Sequence, residues 1–523
     1  MGRGGTGWDA IVIGSGIGGL TTAVLLGSLH GKRVLVLERH DRPGGFTHVF
    51  SRRGGFRWDV GVHYVGEIGE RGLSRDVLEV ATGGEVRWKA MPEGYDRLFF
   101  PGFEFTIRSG WRRFRDDLVA AFPREVKAIH RYFADVRRAA SYVTVLGMRG
   151  TAPPAVVKLA DAWRARARRL ALATTGAWLE ANVTDERLKA VLGARWGDYG
   201  LPPGQSAFLA HAVIARHYFE GGWYPAGSAA SIGEAARRRI EAAGGAVRLR
   251  TPVERILVDG AGRAAGVRLA TGEEIPAPVV VSDAGARNTY LRLLPEEVSL
   301  PFRAELESTP AGMAHLSLYL GLARSPEPLG IRGENLWIHD GLDQDALWAR
   351  QSALLAGEAP QVYVSFPSLK DPEATAHTAE VIAAVDGAAF SRWAGTRWRR
   401  RGPEYDALKE KLAETLLDAV ERRVPGFRDL VVYRELSTPL STEHFTGHPG
   451  GEIYGIPATP ERFTKGYLQV RTPVPGLFLT GADALFLGVV GAARAGLQCA
   501  VAVAGPSTFW KTMREARRLR SAR

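Results

Sequence analysis

The chain has 523 residues, 45% hydrophobic and 24% charged, with 62 glycines; this is the make-up of a globular protein too long for one hydrophobic core, and it excludes a disordered or fibrous chain. The formal charge of +12 comes mainly from arginine, but the basic residues are mixed with acids and lack zinc-finger spacing, an RNP-type aromatic motif or a heptad-linked basic region, so no nucleic-acid partner is expected. The single cysteine, Cys499, excludes an intramolecular disulfide and a Cys-rich metal centre, and no metal site is expected.

Gly2 and Thr6 match a myristoylation pattern, read here as chance in an arginine-, alanine- and glycine-heavy composition that looks bacterial. Neither a secretory signal nor an uncharged apolar run of about 18 residues is present, so the expected place is the cytoplasm. Three basic clusters, 164–169, 397–401 and the C-terminal residues, suit contact with an anionic membrane surface at the inner face of the cytoplasmic membrane.

Residues 10–38 predict strand, glycine turn, helix, strand. Ala10 to Ile13 is short, apolar and β-branched, the helix runs to a stop at Gly31, and the second strand ends at Glu38. Gly14, Ser15, Gly16, Gly18 and Gly19 make up the turn. Gly14 permits the sharp exit from the strand, Gly16 lets backbone approach a pyrophosphate, and Gly19 lets the helix pack closely. The helix N-terminus offers free N–H groups to phosphate. Glu38, followed by Arg39, is placed to accept hydrogen bonds from ribose hydroxyls and disfavours a 2′-phosphate, which points to FAD or NAD rather than NADP.

FAD is the better fit. After Glu38 the chain enters glycine-rich irregular sequence, beginning with Gly44, Gly45, Phe46 and Thr47 and including GFRWDVGVHYVG from Gly55 to Gly66, where a simple NAD domain would continue into a second crossover helix. Near the C-terminus a strand from Leu477 leads into Gly481 and Asp483, then a helix starting around Gly488 to Gly491. That helix, with Val490 and Gly491 in its first turn, would aim its positive end at the pyrimidine side of a flavin ring, and Asp483 would hydrogen-bond the ribityl and pyrophosphate region.

These motifs, together with GGWYPAGS, TPVERI, VVVSDAGA and PGLFLTGAD, resemble the phytoene desaturase, carotenoid isomerase and retinol saturase superfamily of FAD oxidoreductases over nearly the whole chain. GVHYVG and TPLSTEHFTGHPGGEIYGI resemble its retinol saturase and carotenoid isomerase branch; Gly227-Ser228 departs from the more usual Gly-Gly. The resemblance implies an α/β fold: a Rossmann-type FAD-binding domain in three segments (8–84, 222–299, 471–507) with an inserted α+β substrate domain (85–221, 300–470), similar to flavin amine oxidases and phytoene desaturases, and a basic tail at 508–523. It implies that the backbone of Val253 holds adenine. It also places the Gly55 to Gly66 loop beside the isoalloxazine, with His63 and Tyr64 as candidates for proton donation or substrate positioning and Asp59 structural. Glu443, His444 and Tyr454, from a stretch read as a loop, form a second candidate constellation.

The implied substrate is an apolar polyene lipid, saturated, desaturated or isomerised at a C=C bond. Saturation takes a hydride and a proton, whereas isomerisation needs only transient electron donation. With one dinucleotide signature, electrons would exchange with oxygen, a quinone or a separate reductase. A flavin amine oxidase and a non-catalytic flavoprotein carrier of apolar lipid are the alternatives. The stretch PAVVKLADAWRARARRLALATTGAWL (residues 154–179) is amphipathic, suited either to a membrane interface or to packing with a solvated basic face.

Overall fold

The computed structural model describes residues 7–69 and 72–522; Gly2, Thr6 and Arg523 lie outside them. Ala10–Ile13 is buried at every residue, which a four-residue apolar strand can be only where both faces of its sheet are covered. Among the described residues it is the middle strand of a parallel sheet in the order Leu477–Leu479, Val280–Ser282, Ala10–Ile13, Val34–Leu37, Ala246–Arg248. Stretches from the start, middle and end of the chain thus share one sheet. The helix Ile17–His30 leaves the first strand through Gly14 and ends on Gly31, whose φ of 62° is left-handed and natural to glycine.

That helix packs along the C-terminal helix Gly488–Ala504. The two backbones come so close that a Cβ on Gly496 would lie 2.6 Å from the Gly18 carbonyl oxygen and 2.7 Å from the Thr21 Cβ. Glycine at this crossing is what lets the end of the chain close on its beginning.

A second, seven-stranded sheet has the order Val431–Ser437, Ala314–Leu322, His377–Val385, Gln361–Ser365, Asn335–His339, Gly94–Phe100, Phe103–Arg108 among the described residues. Neighbours are antiparallel except Asn335–His339 beside Gly94–Phe100. Side chains alternate across a strand, and here the two faces have different tasks. Leu316, Leu318, Leu336, Val362, Val364 and Val381 share a core with the helix Pro403–Glu421. The opposite face bears Ser317, Tyr319, Asn335, Ser365 and Glu380, all buried, and looks towards the parallel sheet.

The amphipathic stretch is three helices, Pro154–Trp163, Ala165–Ala171 and Thr175–Asn182, the last capped by Thr174, whose side chain accepts from the Ala177 N–H at 3.2 Å. The first of them buries none of its residues. The basic C-terminal segment is also a helix, Ser507–Ser521, fastened to the body by Arg239–Glu515 at 2.6 Å and by Arg520–Asp76. Among the described residues no helix is long and apolar enough to cross a membrane.

The close helix crossing sets an expectation for stability. Gly496→Ala gains about 1 kcal/mol of helix propensity, but its methyl meets backbone rather than a flexible side chain, and overpacking costs about 1–3 kcal/mol. A lowered midpoint in chemical denaturation is expected. Gly260→Ala, where nothing lies within 4 Å, is the control and leaves the midpoint in place.

Candidate active site

Between the carboxyl ends of the parallel strands and the polar face of the seven-stranded sheet lies a cavity of about 560 Å³. Ligands of open α/β sheets bind at this edge, because the loops leaving the strands diverge there. Ile13, Leu37, Asp283 and Thr480 mark the strand ends on one side; His315, Trp337, Tyr363 and Ile382 line the other.

At one end Gly14, Ser15, Gly16 and Ile17 border the cavity; the helix Ile17–His30 has no side chain of its N-cap residue bonded to its N-terminus, and the N–H groups of Gly16 and Gly19 face the Asp283 carboxylate, so the helix start is a site for negative charge. The Glu38 carboxylate is fixed by the Ser15 N–H at 2.8 Å, the Ser15 hydroxyl at 2.6 Å and the His40 N–H at 2.7 Å. Arg39 and Val253 line the same end. Gly44, Gly45, Phe46 and Thr47 border the cavity from above the turn; the Gly44 N–H donates to the Ser15 carbonyl at 2.8 Å and the Thr47 hydroxyl to the Gly44 carbonyl at 2.8 Å. At the far end Gly481, Asp483, Gly488 and Val489 line the wall, and the helix beginning at Gly488 is again uncapped by any side chain. Asp483 ties three segments together: it accepts from the Ala286 N–H at 2.8 Å and the Ile456 N–H at 2.9 Å and lies 3.8 Å from Arg462. Two uncapped helix N-termini, a glycine cradle between them and a pinned carboxylate at one end fit an extended dinucleotide such as FAD.

Four of the expected cofactor contacts stand away from the main cavity. A Cβ on Gly18 would lie 2.5 Å from the Gly481 nitrogen, and one on Gly19 2.5 Å from the Gly14 carbonyl oxygen, so both are spent on packing. Val490 and Gly491 have turned away because the helix starts at Gly488; they line a small side chamber of about 110 Å³. Asp283, which received no role from the sequence, lines the cavity with its Oδ2 outside ideal hydrogen-bond alignment; burial pushes its carboxyl up to about 7 against the pull of the Gly19 and Gly16 N–H groups.

The Gly55 to Gly66 stretch crosses the cavity wall. Arg57–Asp59 forms a short strand with Val49–Ser51. Asp59 is buried, accepting from the Tyr224 hydroxyl and from the Ala229 N–H at 3.1 Å. His63 lines the cavity with its side chain 15% exposed, and its Nδ1 lies 2.8 Å from Oε2 of Glu380, which is 0% exposed. Burial, with Lys370 adding to it, lowers the imidazole to about 3, so His63 is neutral; burial raises Glu380 to about 8. The Glu380 Oε1 accepts from the Asp59 N–H at 2.9 Å.

Tyr64, expected beside His63 at the reaction centre, faces the other way. Its ring stacks on Tyr218 at 4.2 Å and its hydroxyl donates to Asp198 at 2.9 Å; burial and the nearby carboxylates hold it protonated. Tyr64 borders only the small side chamber of about 110 Å³, whereas His63 borders both that chamber and the main cavity. Asp198 does line it, with a carboxyl raised to about 7 by burial and by Asp96.

The second constellation also needs correction. The stretch read as a loop is a helix, Pro439–Thr446, with Thr438 at its N-terminus and Gly447 in the left-handed region at its end. Its helical turn presents Phe445 and Thr446 to the cavity and carries Glu443 and His444 away from it. His444 is exposed and stacks on Trp398 at 5.4 Å. Tyr454 lines the cavity, its hydroxyl donating to the Gly197 carbonyl at 3.0 Å. Glu380, the residue sequence reasoning missed, left one signal: a lone acid beside the apolar run Val381 to Val385 of the strand HTAEVIAAV, where an unneeded carboxylate would be costly.

A family model described as an NAD(P)-binding Rossmann-like domain matches residues 12–79. The chain is 35% identical to an all-trans-retinol 13,14-reductase of Danio rerio, across 94% of this chain and 85% of that protein. It is 26% identical to prolycopene isomerase 2 of an Oncidium hybrid cultivar, across 96% and 85% respectively. Among solved structures, cyclohexylamine oxidase of Brevibacterium oxydans superposes with a TM-score of 0.61 at 17% identity, covering 98% of this chain and all of that one; this speaks to the fold, a flavin amine oxidase-like α/β architecture. With both the dinucleotide cradle and a full-length relative above 30% identity, the chain belongs to the all-trans-retinol 13,14-reductase family of FAD-dependent oxidoreductases.

Proposed function

We propose that this protein saturates one C=C bond of an all-trans retinoid or a closely related polyene. The observation that carries the reading is His63: a neutral imidazole on the cavity wall, held from behind at 2.8 Å, is a proton donor that saturation requires and isomerisation does not. The higher identity to a retinol reductase than to a prolycopene isomerase supports the same direction.

FAD, when bound in reduced form, supplies the hydride for one carbon of the double bond. The protein does the rest. Met313, Trp337, Tyr363 and Ile382 line the wall and would hold the polyene and exclude water. The Nε2 edge of His63 gives a proton to the neighbouring carbon, and because the ring stays neutral above about pH 3, its own charge does not change over the working range. Tyr454, with its hydroxyl occupied by Gly197, positions rather than reacts. The absence of a second dinucleotide motif supports a separate reductase or a quinol as electron donor.

A polyene reaches such a site from a bilayer, and the helix Pro154–Trp163 supports docking on the inner, anionic face of the cytoplasmic membrane. Val156, Leu159 and Trp163, spaced for one face, are 45%, 73% and 84% exposed. Lys158 and Arg164, Arg166 and Arg169 stand beside them, the pairing of apolar and basic side chains that binds anionic interfaces.

Three outcomes test this. Anaerobic mixing of the reduced holoprotein with all-trans-retinol is expected to restore the oxidised flavin spectrum and yield a product two hydrogens heavier by mass spectrometry; unchanged mass with altered retention would assign isomerisation instead. His63→Ala is expected to keep full flavin occupancy while turnover falls about 10²-fold or more; undiminished turnover would remove the imidazole from the reaction. Leu159→Glu with Trp163→Glu is expected to abolish co-sedimentation with vesicles containing phosphatidylglycerol and leave turnover of detergent-dispersed retinol intact.

A further inference from the structure

A neutral imidazole that gives up its Nε2 proton must gain one at Nδ1, or it is left as an unstable anion. The Nδ1 of His63 faces one atom able to provide it, Oε2 of Glu380 at 2.8 Å. Neither atom has a hydrogen-bond partner elsewhere among the described residues, and the pair itself stands at hydrogen-bond distance but outside ideal alignment, as donors and acceptors often do before substrate arrives. We propose that Glu380 is the positioning and proton-supplying residue behind His63, so that the two act as a relay; the proposal rests on the reading of His63 as proton donor.

The placement of Glu380 argues against a merely structural role. Ile382 and Ala384 follow it on the same face of the same strand and line the same cavity, so the wall accepts apolar residues. A carboxyl here carries a desolvation penalty of several kcal/mol if ionised, yet only one of its oxygens is used for a structural bond, from the Asp59 N–H. The groups facing the pair from neighbouring elements are Asp59, Lys370, Tyr224, Tyr319, Tyr363 and His315. Lys370 is the one set to offset a charge: its Nζ donates to the His63 carbonyl at 3.0 Å, to Ser365 at 2.7 Å and to Asn335 at 2.5 Å.

Bound reduced FAD would supply the hydride for the C–H bond at one carbon of the alkene. The neighbouring carbon forms its C–H bond as Nε2–H of His63 breaks, and Nδ1–H forms as the Oε2–H bond of Glu380 breaks. The polyene is reduced by two electrons and the flavin oxidised by two. His63 ends as its other neutral tautomer, and the negative charge rests on Glu380 near Lys370. Water entering the emptied cavity returns the proton through the imidazole. Because burial sets Glu380 at about 8, the proton is present below that pH and lost as pH rises through it.

Glu380→Gln tests the relay, since the amide keeps the bond from the Asp59 N–H and the side-chain volume but has no acidic proton. The expected result is full flavin occupancy and unchanged KM, with kcat lowered about 100-fold and the native decline in rate above about pH 8 gone. A native kcat in this variant overturns the proposal. Infrared spectroscopy of native holoprotein carrying ¹³C-labelled glutamate gives a reading independent of turnover and of the variant's folding: a label-shifted protonated-carboxyl band that disappears on titration near pH 8 is expected, and its absence overturns the relay. If native protein shows that band but forms no two-hydrogen product from any retinoid, the fault lies with the proposed reaction, not with the protonation of Glu380.

Discussion

The pairing of Val280–Ser282 with both Ala10–Ile13 and Leu477–Leu479 is the constraint from which the site follows. Parallel strands place their carboxyl ends together, so one edge collects the glycine turn after the first strand in chain order, Glu38 after the second, Asp283 after the fourth and Gly481 to Asp483 after the last. The helix crossing at Gly18, Thr21 and Gly496 then locks the final segment against the first. No local stretch could build this cradle alone, because each contributes only one strand end and a few backbone donors.

Ionisable groups in and just behind the cavity wall are governed by burial more than by pairing. Asp198 and Asp283 in the wall, and Asp59 and Glu380 behind it, are all raised by desolvation, and His63 and His315 in the wall are lowered by it. The wall therefore tends to neutral forms, which lets an apolar chain lie beside it without unpaired charge. Burial lowers even Lys370 to about 8, although its Nζ has three acceptors; the charge that is kept is that of Arg195, 3.4 Å from Asp96.

Much of the cofactor cradle was legible in the sequence because its signals are local. The Gly14 to Gly19 turn, Glu38 closing a buried strand and the glycine cluster before the C-terminal helix each combine a periodicity with a residue type that has few other uses. The substrate side was harder to read. Tyr64 and His63 are adjacent in sequence and share the side chamber, but only His63 reaches the main cavity, a difference set by the Tyr64 stack on Tyr218 and its bond to Asp198, residues distant in sequence. Glu443 and His444 sit in a helix whose phase depends on the cap at Thr438 and the left-handed Gly447, features that look like loop chemistry until the ends are known. Glu380 becomes meaningful only through register, opposite Tyr319 and Ser365, and register between distant strands leaves no mark on either strand alone. Within residues 154–182 the start of the third helix likewise turns on a cap, Thr174, and the break between the first two on the backbone at Arg164, rather than on hydrophobic spacing.

The seven-stranded sheet has one face fused to the core under Pro403–Glu421 and the other open to the cavity, and strand alternation keeps the two sets of side chains separate. The shape of the cavity wall at His315, Trp337, Tyr363 and Ile382 can therefore change while the residues between them go on holding the scaffold. Cavity shape and foldability are written on interleaved positions of the same strands.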